Sequence, residues 1–160
     1  LCAIQTLRFG MTLHELWPFR WFGYFGDGAL MDYMPVLSEV VDIDWRPDDL
    51  KRLAWYLKEC PVAISAGESA HECPLCGGHV EHDPSAHRSD GEWVWPDDLW
   101  HLVEVHHVRL PDDFVRRIRD REYRIPTRLD IPLHDIEWPN PDYTRMRALR
   151  ERVNGDNSND

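Results

Sequence analysis

The chain has 160 residues, 42% of them hydrophobic, which is enough for one buried core and points to a single domain. Its formal net charge of −11 opposes the phosphate backbone of nucleic acids, whose binding needs cations, and reads either as plain solubilising charge or as steering toward a partner with a basic surface. No apolar run approaches the roughly 18 residues that a membrane-spanning helix requires.

The acidity is uneven: residues 109–152 hold 11 arginines against 9 acids, so the surplus of carboxylates lies before Arg109. The first residues, Leu1-Cys2-Ala3-Ile4, lack the basic start and long apolar run of a secretory signal. Met11 is a candidate start, which leaves residues 1–10 of doubtful native status. Of four cysteines, Cys2 and Cys60 read as reduced and partly buried; the expected compartment is the cytoplasm.

In chain order, Thr12 followed by Glu15 is a capping box, which predicts a short helix opening at Leu13 and disturbed by Pro18. The next stretch, Phe19-Arg20-Trp21-Phe22-Gly23-Tyr24-Phe25, is the most aromatic in the chain. It reads two ways, as irregular core or as an exposed aromatic lip gripping a partner through Trp21, Phe22, Tyr24 and Phe25. Residues 31–41 are mixed in period. From Asp44-Trp45-Arg46-Pro47-Asp48-Asp49 a helix begins, continues through Leu50, Leu53, Ala54 and Leu57 at spacings of three and four, and stops at Cys60-Pro61. Val62-Ala63-Ile64-Ser65 is a short buried strand candidate.

Cys73-Pro74-Leu75-Cys76-Gly77-Gly78 carries the strongest chemical signal in the sequence. Two thiols three residues apart converge on one ion, and glycines follow where such turns need positive φ. Residues 82–91 read as a loop, and Trp93 and Trp95 as a second short strand that pairs with the segment after Cys76. A helix follows, with Pro96 in its first turn, Asp97 and Asp98 at its positive end, and Leu99, Leu102, Val103 and Val105 on a buried face.

His101 and His106 on this helix have four residues between them, within the range of zinc helices. Five ideal helical steps turn the second side chain about 140° from the first, so the last turn must loosen to bring both imidazoles inward. His107 is the rival for the fourth place, and His71, His79, His82 and His87 lie close by. The expectation is a structural Zn2+ site of Cys73, Cys76, His101 and His106, with Glu104, Asp97 and Asp98 as acceptors for imidazole N–H or as solvated acids. A redox pair fits less well, because such thiols sit at a helix N-terminus and here glycines follow. The zinc deaminase and His-Glu-x-x-His protease signatures are absent.

Leu110-Pro111-Asp112-Asp113-Phe114 opens another helix, with Phe114, Val115 and Ile118 as its apolar side and arginines at 116, 117, 119, 121 and 124. These arginines read as a solvated face or as a phosphate-binding patch. Residues 125–143 hold four prolines and read as an extended arm. Asn140 and Pro141 open a last helix to about Val153, with a disordered tail over 154–160.

The run from Cys73-x-x-Cys76-Gly77 through Asp90-Gly91-Glu92-Trp93-Val94-Trp95-Pro96, Leu99, His101, Val103, His106, Val108, Leu110-Pro111 and Phe114 resembles a pattern in small, uncharacterised bacterial proteins. That resemblance implies a metal site and a fold unit but no activity. The expected architecture is α+β, several helices around a short antiparallel hairpin unit containing the metal. Globular residues 1–124 are followed by the arm and terminal helix over 125–153. The favoured function is a non-catalytic zinc-stapled protein that binds another protein, with small acidic immunity or antitoxin proteins as the nearest analogy. The alternatives are a metal-dependent hydrolase with an open position near Glu104 or His107, and nucleic-acid binding through the arginine run.

Overall fold

A computed structural model of the chain describes residues 11–25, 34–65, 72–80, 86–129 and 143–157. Within them lie six helices, α1 Leu13–Leu16, α2 Leu37–Val40, α3 Leu50–Glu59, α4 Leu99–His106, α5 Asp112–Asp120 and α6 Tyr143–Asn157. Three strands, β1 Val62–Ile64, β2 His87–Ser89 and β3 Val94–Pro96, form an antiparallel sheet in the order β1-β2-β3. This is a small α+β domain. The expectations for residues 1–10, 26–33, 66–71, 81–85, 130–142 and 158–160 lie outside the described residues.

Local signals explain most elements. The Glu15 carboxylate accepts hydrogen bonds from the Thr12 backbone N–H at 2.8 Å and the Thr12 hydroxyl at 3.0 Å, which opens α1. Helix α3 buries Leu53, Ala54, Tyr56 and Leu57 on one side and ends at Cys60, before Pro61. Pro96 closes β3, so α4 begins only at Leu99, with Asp98 as its N-cap residue. At the far end α6 runs on to Asn157, so residues 154–157, expected in a disordered tail, continue the helix. Met146 and Leu149 join the common core.

Two strand expectations need correction. β1 is a half-exposed edge strand, with Val62 46% exposed. β2 falls inside what reads as a loop, and β3 pairs with β2, matching Arg88 to Trp95, where pairing with the segment after Cys76 was expected. That segment closes its own turn through an isolated bridge between Glu72 and His79. β2 lacks apolar alternation because its side chains find polar partners. His87 Nδ1 and the Tyr24 hydroxyl lie 2.7 Å apart, Arg88 pairs with Asp97 and donates to the Cys60 carbonyl, and Ser89 is fully buried.

Residues 20–22 run parallel to the other side of β3. The Phe22 N–H donates to the Val94 carbonyl at 3.1 Å, and the Val94 N–H donates to the Arg20 carbonyl at 3.0 Å. Trp21 and Phe22 are thereby carried into the core at 1% and 0% exposure, so they form no exposed lip. Tyr24 and Phe25 are half-buried against the same core. Around Trp17 the rings of Phe19, Trp21 and Phe22 meet edge to face at 5.2–5.4 Å. Gly23 has φ +95°, and a Cβ there would meet Pro96 Cδ at 2.9 Å; glycine is required.

Asp90 is the buried polar hub. Its Oδ1 accepts from the Glu92 and Trp93 backbone N–H groups at 2.9 and 2.8 Å, and its Oδ2 accepts from the Tyr56 hydroxyl and Arg117 Nε, both at 2.9 Å. The carboxylate thus joins α3, the β2–β3 turn and α5. Removing it leaves Arg117 with Glu92 alone and takes the acceptor from the Tyr56 hydroxyl and from two backbone N–H groups. Asp90→Ala should lower unfolding free energy by about 3 kcal/mol, against about 1 kcal/mol for Tyr56→Phe, measured by urea denaturation.

His14 is 6% exposed, its Nδ1 has no hydrogen-bond partner, and burial together with Arg109 lowers its pKa to about 4. The unfolded chain takes up this proton near pH 6.5 and the folded chain only near 4, so stability falls as pH drops across that window. Each pH unit costs at most about 1.4 kcal/mol. His14→Gln should flatten the slope of unfolding free energy between pH 6.5 and 5.

Candidate metal centre

The turn that presents the thiols is closed by two backbone hydrogen bonds, Gly77 N–H to the Cys73 carbonyl at 2.8 Å and Cys73 N–H to the Gly78 carbonyl at 2.9 Å. Gly77 takes φ +65°, the conformation expected of it. Gly78 serves differently, because a Cβ there would press on Cys76 Sγ at 3.2 Å. Cys73 is buried and Cys76 exposed.

The imidazoles come from α4. Its last turn is widened: the His107 N–H reaches the Leu102 carbonyl, five residues back, and the Val108 N–H reaches the same oxygen at 3.1 Å. His107 then takes the left-handed conformation, φ 54° and ψ 38°. This loosening brings two residues five apart to one side. The His101 and His106 ring centroids are 5.1 Å apart.

The two halves meet. Cys73 Sγ lies 3.4 Å from His106 Nε2, and Cys76 Sγ lies 3.6 Å from His101 Nε2. All four ligand atoms fall within 4.8 Å of one another, close enough to hold a metal ion. Among the described residues the cluster contains these four; His79 and His107 are outside it. His71 and His82 belong to residues not described.

Electrostatics at the site follow from burial. Desolvation pushes the Cys73 thiol up, and the Cys76 thiol adds to this, whereas N–H groups of Leu75 and Cys76 aimed at the sulfur oppose it. Burial, followed by the neighbouring His101 and His107, lowers the His106 pKa and leaves its ring neutral at pH 7, the form that offers a lone pair. Cys60 is a free thiol pushed up to about 12 by burial, an inert core residue.

Other expected participants are placed differently. Asp97 is 7% exposed and ion-paired with Arg88. Trp100, which its sequence position did not single out, meets the His101 ring edge-on at 5.7 Å and carries Lys58 Nζ over its face at 4.5 Å. A tryptophan directly before a ligand histidine was the available signal. Comparison with protein-family models, with curated proteins and with solved structures gives no match. Among the described residues no helix is long and apolar enough to cross a membrane.

A metal held here would shield both thiols, and without it the buried Cys73 and the exposed Cys76 should differ. In chelated protein, Cys76 should react with a thiol reagent at least tenfold faster than Cys73, read by mass spectrometry of the modified peptides.

Proposed function

We propose that the chain is a non-catalytic protein in which a structural Zn2+ ion holds one face rigid for binding another protein. The donor geometry carries the metal assignment. Zinc at about 2.3 Å from sulfur and about 2.0 Å from nitrogen, at tetrahedral angles, needs sulfur–nitrogen edges of about 3.5 Å. The two observed edges, 3.4 and 3.6 Å, bracket that value. Two thiolates and two imidazoles complete a tetrahedron, the ligand set of closed structural sites. The ion would pin the Cys73–Cys76 turn to α4 and supply folding free energy directly.

The face so pinned supports the binding half of the reading. Leu75 at the tip of the turn is 43% exposed, and Val105, one helical turn beyond His101 on α4, is 51% exposed where the sequence pattern places it on the buried face with Leu99, Leu102 and Val103. Glu72 is exposed beside the turn and Glu104 half-exposed on α4, so apolar anchors sit with carboxylates. Such a face complements a partner that is basic around an apolar contact, in keeping with the net charge of −11. A role like that of a small acidic immunity or antitoxin protein accommodates this, and the thiolate site suits a reducing cytoplasm.

Untagged protein should contain one zinc per chain, with an X-ray absorption spectrum fitted by two sulfurs and two nitrogens. Chelation should lower the thermal midpoint by about 10 °C if free zinc stood near 1,000 times its dissociation constant. A water in the first coordination sphere would overturn the non-catalytic assignment. Leu75→Ala combined with Val105→Ala should keep zinc and melting behaviour while losing a stoichiometric partner in affinity purification from the native host. Undiminished capture by that double variant would sink the choice of face.

A further inference from the structure

Away from the metal, a cleft of about 570 Å³ opens between the segment after α1, the β2–β3 turn and the outer side of α5. That size is within the range of small-molecule sites. Trp17, Pro18, Phe19 and Trp93 line it on the apolar side, the three aromatic rings almost wholly buried, and so do four arginines, Arg20, Arg116, Arg117 and Arg121. The fold brings Arg20 to this place, almost a hundred residues from the others in sequence. Arg119, which the sequence groups with the other arginines of α5, points elsewhere and pairs with Asp49.

The arginines of the lining are unevenly paired. Arg116 is paired with Asp113, and Arg117 with Asp90 and Glu92. Arg20 and Arg121 make no ion pair or side-chain hydrogen bond among the described residues, and Arg121 Nε is buried with no acceptor. A guanidinium without a carboxylate partner offers its accessible N–H groups to an oxyanion in forked geometry. Asp120 is the one carboxylate of the lining left without an ion pair among the described residues. With Asp90 counted, four guanidiniums meet four carboxylates, so the cleft has no excess positive charge to hold a polyanion, whereas the two guanidiniums without an ion pair suit a single anionic group.

We propose that this cleft binds a small organic anion, a phosphate or carboxylate group on an apolar body, with Arg20 and Arg121 taking the anionic group and the aromatic edges taking the body. The test uses the whole metal-loaded chain and isothermal titration with four probes: phenyl phosphate, benzoate, inorganic phosphate and benzyl alcohol. Saturable one-to-one binding of phenyl phosphate or benzoate is expected, and whichever binds tighter identifies the preferred group. Inorganic phosphate and benzyl alcohol should each bind at least tenfold more weakly. Arg20→Gln and Arg121→Gln should each weaken binding about tenfold, and Arg124→Gln, outside the cleft, should not. The proposal is overturned if neither aromatic anion saturates, if either control probe binds as well, or if Arg20→Gln leaves affinity unchanged. Arg20 is exposed and its side chain has no partner among the described residues, so that variant decides the matter even if Arg121→Gln fails to fold.

Discussion

Two sulfurs on a three-residue turn face two imidazole nitrogens on α4, at contacts that span 33 and 25 residues of sequence. Four such donors within 4.8 Å of one another could hold a metal ion, and crowding groups that compete for protons carries a cost. A divalent ion held there would offset that cost by taking the lone pairs that otherwise repel. The rest of the local structure is arranged to permit this approach. Gly77 supplies the left-handed turn, Gly78 leaves room for a sulfur, and the final turn of α4 widens so that residues five apart point the same way.

Around this centre the core is built from aromatic area and a few fully satisfied polar groups. Trp93 lies flat on Phe114 with centroids 4.5 Å apart, and Trp95 is fully buried with its indole N–H donating to the Leu57 carbonyl at 3.0 Å. Such rings bring large buried area, but each indole needs a carbonyl to receive its proton. Trp17 meets the same need through the Trp21 carbonyl at 2.7 Å. Arg119 and Tyr123 both reach Asp49, whose carboxyl they hold down at about 2, so α5 is clipped to the start of α3 as well as to the hub at Asp90.

Much of this was readable in the residues, and the division has a physical basis. The thiol turn, the helix carrying His101 and His106, and the capping box at Thr12 depend on neighbours within a few positions, and spacing alone reports them. The fate of Trp21 and Phe22 does not. A Gly-punctuated aromatic run suits a core or a surface equally, and what decides is a free edge of β3 more than 70 residues away. β2 was hidden for the opposite reason. His-Arg-Ser-Asp has the composition of a loop, and only Asp97 across the β2–β3 hairpin, with Tyr24, Tyr56 and Arg117 from farther along the chain, makes it an interior strand. Likewise the lack of an ion pair at Arg20 and Arg121 is visible only once the carboxylates beside their neighbours have been assigned.

The end of α4 is not an isolated terminus. The carbonyl of His107 receives the Asp42 N–H at 3.0 Å, and the Arg109 N–H donates to the Val40 carbonyl at 2.8 Å, so the residues just past the second imidazole are clasped to those just past α2. Fraying there would release four strand-like backbone groups on two separate segments at once. The ligand turn and the amino-terminal third of the molecule therefore share one hinge of main-chain bonds, and slackness introduced on one side of it is inherited by the other.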